Sequence, residues 1–99
     1  MEKSIEEIIK CIINLLREND EPEWAEIFSE VALEYNNNET RNHAVKKVIN
    51  FYKGGMGSFS DLVLQKNMKM LIEENDELAD LKHDLFNKCL IYSENKGIS

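Results

Sequence analysis

Apolar residues recur at helical spacing along most of this chain, and that period is what most restricts the folds open to it. The cleanest case is Trp24, Ile27, Phe28, Val31, Ala32 and Tyr35, at i, i+3, i+4, i+7, i+8 and i+11. Glu23, Glu26, Glu30 and Glu34 occupy the other face of the same segment. Asp20-Glu21-Pro22-Glu23 supplies its start, with proline and acid in the first turn, and Asn36-Asn37-Asn38 its polar stop. Upstream, Ser4-Ile5-Glu6-Glu7 has the form of a capping box. Ile5, Ile8, Ile9, Ile12, Leu15 and Leu16 follow as a second stripe, widened by Ile13. This predicts a first helix over about residues 4–18, ended by Asn19 and Asp20. A third helix opens at Asn38 or Thr40 and buries Ala44, Val45, Val48, Ile49 and Tyr52. Lys53 followed by Gly54 reads as its exit, a cation in the last turn and a glycine free to turn left-handed.

The second half is less regular. Three of the four glycines stand within four positions, at Gly54, Gly55 and Gly57, and are read as a structural turn. Ser58 or Ser60 can cap a new helical turn after them. Leu62-Val63-Leu64 suits a buried helix start or a short strand; helix is favoured, because no second clear strand exists to pair with it. Leu64, Leu71, Leu78, Leu85 and Tyr92 then recur every seven residues. That allows one long helix, or two broken near Glu73-Glu74-Asn75-Asp76, and the break is preferred, with a last helix from about Asp76 to Glu94. The expected fold is an all-α single domain over residues 1–99, a bundle of four or five helices with a glycine-rich bend in the middle. Helices 1 and 2 pair as an antiparallel hairpin through their short linker.

Charge narrows the function classes. The net charge of −7 argues against nucleic acid as a partner, since phosphate binding needs a basic footprint. The distribution is uneven: residues 1–35 carry −7, residues 36–72 carry +4 and residues 73–99 carry −4. Two readings stand, a bundle whose acidic and basic parts attract each other and an acidic patch that faces a basic partner. The stretch from Ile5 to Leu16 is broken by Glu6, Glu7 and Lys10, so it reads neither as a leader nor as a membrane span. Cys11 and Cys89 lie far apart in apolar helical stripes, with no CxxC spacing. They are read as free, mostly buried thiols of a cytoplasmic protein.

No motif completes a catalytic set. Gly57 is followed by Ser58-Phe59 rather than the Lys-Ser/Thr of a phosphate-binding loop. Gly55-Met56-Gly57-Ser58-Phe59-Ser60 lacks the final glycine of a dinucleotide fingerprint and follows a helix. The loop is read first as a tight turn, with an anion cradle and a partner-binding loop as the two alternatives. Met56 and Phe59 either plug the end of the bundle or, if exposed, anchor a partner. Asp80, His83, Asp84 and Asn87 share one helical face, but with no second histidine and no HExxH they read as a solvated face; His43 reads as ordinary surface. Trp24 is either a core residue or a half-exposed hot spot beside Glu21, Glu23 and Glu26.

The tract Gly54-Gly55-Met56-Gly57-Ser58-Phe59-Ser60-Asp61-Leu62-Val63-Leu64 resembles the hallmark of a small family of uncharacterised bacterial proteins, Gly-Gly-Met-Gly-Ser-Phe-Asn-Asp-Leu-Val-Leu. Ser60 stands where that pattern has Asn. The specific match covers about a dozen residues. The family's acidic, Trp-containing helix upstream would correspond to the segment with Trp24, and its Leu-rich helix downstream to the one with Leu78, Leu81 and Leu85. Some members of such families look like immunity proteins that neutralise toxins, and that likeness implies an inhibitor of a basic partner.

The residues together favour a non-enzymatic protein-binding module without a cofactor or metal. Its expected contact residues are Trp24, Glu23, Glu26 and Glu30, or the loop residues Met56 and Phe59. Two alternatives are a small anion- or nucleotide-binding domain using the Gly54–Gly57 loop, and a structural homodimer through the C-terminal leucine stripe.

Overall fold

The computed structural model describes residues 3–53, 59, 62–66 and 69–97. Among these, four helices surround one core: α1 (Ile5–Glu18), α2 (Pro22–Asn36), α3 (Arg41–Phe51) and α4 (Ile72–Lys96). Each packs on the next along the chain except that α4 closes the ring against both α3 and α1. The fold is an all-α helical bundle. At about 1.5 Å per residue, α4 alone is roughly 37 Å long.

The first three helices follow their local signals. Ser4 Oγ accepts from the Glu7 amide and Glu7 Oε1 accepts from the Ser4 amide, both at 3.2 Å, which completes the capping box of α1. Ile8, Ile12 and Leu16 are wholly inaccessible, each contributing about 1.5–3 kcal/mol of burial. The helix ends as Asn19 Nδ2 donates to the Leu15 carbonyl and Asp20 turns left-handed at φ 59°. Pro22 then occupies the first turn of α2. At the α2–α3 corner, the Thr40 hydroxyl donates to the Glu34 carbonyl at 2.7 Å. Arg41 Nε donates to that of Tyr35, also at 2.7 Å. Two of the carbonyls that a helix end leaves free are thereby satisfied.

The connection to α4 departs from expectation in two ways. Leu62-Val63-Leu64 does not begin a helix. It is irregular and leads into β1 (Gln65–Lys66), which pairs antiparallel with β2 (Lys69–Met70) in a two-residue ladder. The partner strand is the segment immediately following, too short to carry a periodic signal. Beside a backbone bond from the Leu71 N–H to the Leu64 carbonyl at 3.2 Å, this segment is held by the side chain of Asn75. Its carbonyl oxygen accepts from the Leu64 amide at 2.7 Å, and its Nδ2 donates to the Leu64 and Leu71 carbonyls at 2.8 Å. Lys82, two turns further along α4, donates from Nζ to the Leu62 carbonyl at 2.7 Å.

The second departure is that α4 is one helix, with no break at Glu73–Asp76. Those polar residues form its first turns. Glu73 and Glu74 sit where the helix dipole favours acid, so the supposed stop is a start. Gly97, left-handed at φ 67°, ends it. Leu64, Leu78 and Leu85 of the seven-residue series are buried and Leu71 and Tyr92 half-buried, so the stripe faces this chain's own core. None of the described helices is long and apolar enough to cross a membrane.

Candidate functional site

Helix α2 has two faces with different chemistry. Its inner side carries Ala25, Phe28 and Val31 into the core. Its outer side carries Glu23, Glu26 and Glu30, all exposed and, among the described residues, in no ion pair or hydrogen bond. Glu26, Glu30 and Leu33 follow one another at i, i+4 and i+7, so the acidic stripe continues into Leu33. Leu33 is 73% exposed, the most exposed large apolar side chain of the described residues.

Beside Leu33 runs an open groove between α1 and α2, about 410 Å³ in volume. From α2 it is lined by Ser29, Ala32 and Leu33; from α1 by Lys10, Ile13, Asn14 and Arg17. The floor is apolar and the α1 wall is cationic at both ends. Lys10 pairs with Glu6 at 3.3 Å, an exposed i,i+4 pair that is worth little. Arg17 Nη2 donates to Ser29 Oγ at 3.2 Å across the groove.

The fourth acid of α2 does something else. Glu34 accepts from Lys47 Nζ at 2.6 Å and lies 2.9 Å from His43 Nδ1, which ties α2 to α3. The hydrogen bond from Lys47, and then that from His43, hold its carboxyl below the usual range. Glu34 is thus occupied within the chain, whereas Glu23, Glu26 and Glu30 are open.

The remaining expected residues are distributed differently. Trp24 is half-buried on the inner side of α2. Its ring lies 6.2 Å from Phe28, 5.6 Å from Phe51 and 5.2 Å from Phe59 by centroids, so it is not grouped with Glu26 and Glu30. Phe59 is fully buried, 4.7 Å from Phe28 and 5.6 Å from Tyr52, with Lys82 Nζ 5.2 Å from its centroid. Its placement among partner-facing residues is corrected by that burial: the ring is core at the end of the bundle and has no surface to offer. Gly54, Gly55, Met56 and Gly57 lie outside the described residues.

On α4, Asn87 Nδ2 donates to His83 Nε2 at 3.0 Å, and Asp84 is paired with Lys88. No cluster of metal-ligating side chains occurs among the described residues. Cys11 and Cys89 are free thiols. Cys89 is buried, and burial alone pushes its thiol up to about 12, the setting of an inert cysteine.

Leu33 and the groove were not anticipated. The available signal was an apolar residue off the stripe: Leu33 sits between Ala32 and Glu34, on the side of α2 otherwise given to glutamates. Lys10 and Arg17 gave none, because two cations seven apart on a helix are ordinary surface until a neighbouring helix makes them one wall.

Fold and surface define a small four-helix domain with a charged, apolar-floored groove between its first two helices. Residues 17–72 match the family model described as Domain of unknown function (DUF6966), and the chain belongs to that family. The match runs from the end of α1 to the start of α4 and takes in the whole of α2. No curated protein and no solved structure matches the chain.

Proposed function

We propose that this protein is a non-enzymatic binding module that docks its α2 face on a basic protein partner and occludes it, in the manner of an immunity-like inhibitor. The observation that carries this is the run Glu23, Glu26, Glu30 and Leu33: three carboxylates unpaired among the described residues, leading to an apolar side chain that the fold leaves outside. Acid around an apolar anchor is the arrangement of an interface, where the charges speed encounter and the anchor slows release. Glu34 shows the contrast, since it pairs with Lys47 of its own chain.

The test begins with affinity capture, using the tagged protein and the products of neighbouring reading frames, and then measures association of the captured partner. Replacing Glu23, Glu26 and Glu30 together with lysine is expected to lower the association rate about tenfold or more at low salt. The same variant should flatten the salt dependence. An association rate and salt slope equal to those of the unaltered protein would remove α2 as the binding face.

A further inference from the structure

The α1–α2 groove is electrically polarised across its width, and this deepens the reading of α2 as a binding face, on which it rests. One wall is cationic, with Lys10 and Arg17 on α1. Beyond the α2 wall of Ser29, Ala32 and Leu33, outside the lining itself, the exposed face of α2 that ends in Leu33 carries Glu26 and Glu30. Between them lies an apolar floor of Ile13, Ala32 and Leu33. Lys10 and Arg17 are seven residues apart on one helix, about 10.5 Å along its axis, so the charged wall spans two turns.

We propose that this groove receives an amphipathic helix of the partner, with an apolar seam at i, i+4 and i+7 and flanks of opposite charge. The seam covers Ile13, Ala32 and Leu33. The basic flank lies over Glu26 and Glu30 on α2, and the acidic flank over Lys10 and Arg17 on α1. A helix suits the groove because both walls are helices whose lining residues repeat at three and four, the spacing a third helix meshes with. The charge pattern also fixes direction. A docked helix turned end for end exchanges its flanks, so only one direction matches both walls.

The test uses the full-length protein and four synthetic helical peptides sharing one leucine seam. Two carry lysine on one flank and glutamate on the other, in the two opposite assignments; the third carries lysine on both flanks and the fourth glutamate on both. Both polarised peptides are expected to bind at least about tenfold more tightly than either uniform one. Leu33→Glu should weaken them by about tenfold or more without changing helicity, because Leu33 is a surface residue. With a spin label at the peptide N-terminus, one polarised peptide should broaden amide signals around Arg17 and the other those around Lys10. Binding of the all-lysine peptide as tightly as the polarised ones would overturn the polarised groove while leaving the acidic face intact. Broadening at the same end by both peptides would overturn the fixed direction. Failure of all four to bind, with a captured partner still held by the Leu33→Glu variant, would overturn the groove as the docking site. Concentration-dependent self-association abolished by Leu33→Glu would assign the groove to a second copy instead.

Discussion

Asn75 shows how much one side chain can organise. Leu64 is buried, and its backbone C=O accepts from the Leu71 N–H at 3.2 Å whereas its N–H has neither a helix nor a long ladder to enter. The amide of Asn75 supplies one acceptor and one donor for that residue, and its second N–H reaches Leu71. Removing the amide strands the Leu64 N–H, which costs about 1–3 kcal/mol, while the Leu64 and Leu71 carbonyls keep the backbone N–H groups of Leu71 and Asn75. Asn75→Ala is therefore expected to lower unfolding stability by about 2 kcal/mol in a denaturant titration. Asn75→Asp should lose less, since its carboxylate still accepts from the Leu64 N–H and the two carbonyls it no longer reaches keep their backbone donors. A loss no larger than that of an ordinary surface substitution, about 0.5 kcal/mol, would mean that the segment is held by other contacts. Nothing in the sequence flags Asn75: its role depends on a residue eleven positions away, and in a polar run it reads as a break. Cys89 is legible by contrast, an apolar-stripe thiol that proves buried. It should resist alkylation in the native protein and react once denaturant unfolds the chain, as a thiol count with and without denaturant would read.

At the level of elements, local chemistry and tertiary chemistry divide the molecule. Helices α1 and α2 were readable to within a residue or two because a capping box, a proline and an unbroken stripe act over a few positions. The hairpin and the start of α4 were misread because they are set by contacts between the linker and α4, beyond the reach of any period. The α2–α3 pair makes a testable case of tertiary electrostatics. Glu34 has its pKa lowered by Lys47 and His43. A depressed carboxyl stabilises the fold above its unfolded pKa, near 4.5, and that stabilisation is lost as pH falls through the folded value. Glu34→Gln should then be less stable than the unaltered protein at pH 6–7, and the gap should close as pH drops below about 4.5. The effect is small, because the carboxylate is partly exposed and screened by water. Thermal melts of the two proteins across pH 3–7 would show the curves converging on the acid side; parallel curves would mean that the ion pair adds nothing to folding.

Across the whole molecule, the uneven charge of the chain is only partly answered within the fold. Lys47 of the basic middle segment pairs with Glu34, and His43 Nδ1 lies 2.9 Å from the same carboxylate. Among the described residues none pairs with Glu23, Glu26 or Glu30, which are exposed. The acidic half of the candidate site was thus legible from the spacing of its glutamates. The apolar half was not, because Trp24 and Phe59 are the conspicuous residues and both are drawn inward by the aromatic cluster, leaving the anchor to Leu33. Leu33 and Phe59 can be separated by experiment. Phe59→Ala opens a cavity among Trp24, Phe28 and Tyr52 and should cost about 3–4 kcal/mol of stability. Leu33→Ala should change stability by no more than about 0.5 kcal/mol, because the side chain is largely in water already. Partner binding should divide the other way: at a temperature where both variants are folded, Leu33→Ala releases the partner faster while Phe59→Ala holds it as the unaltered protein does. If release accelerates for Phe59→Ala and not for Leu33→Ala, the binding surface lies at the end of the bundle near the linker, and the α2 face is only a solvated one.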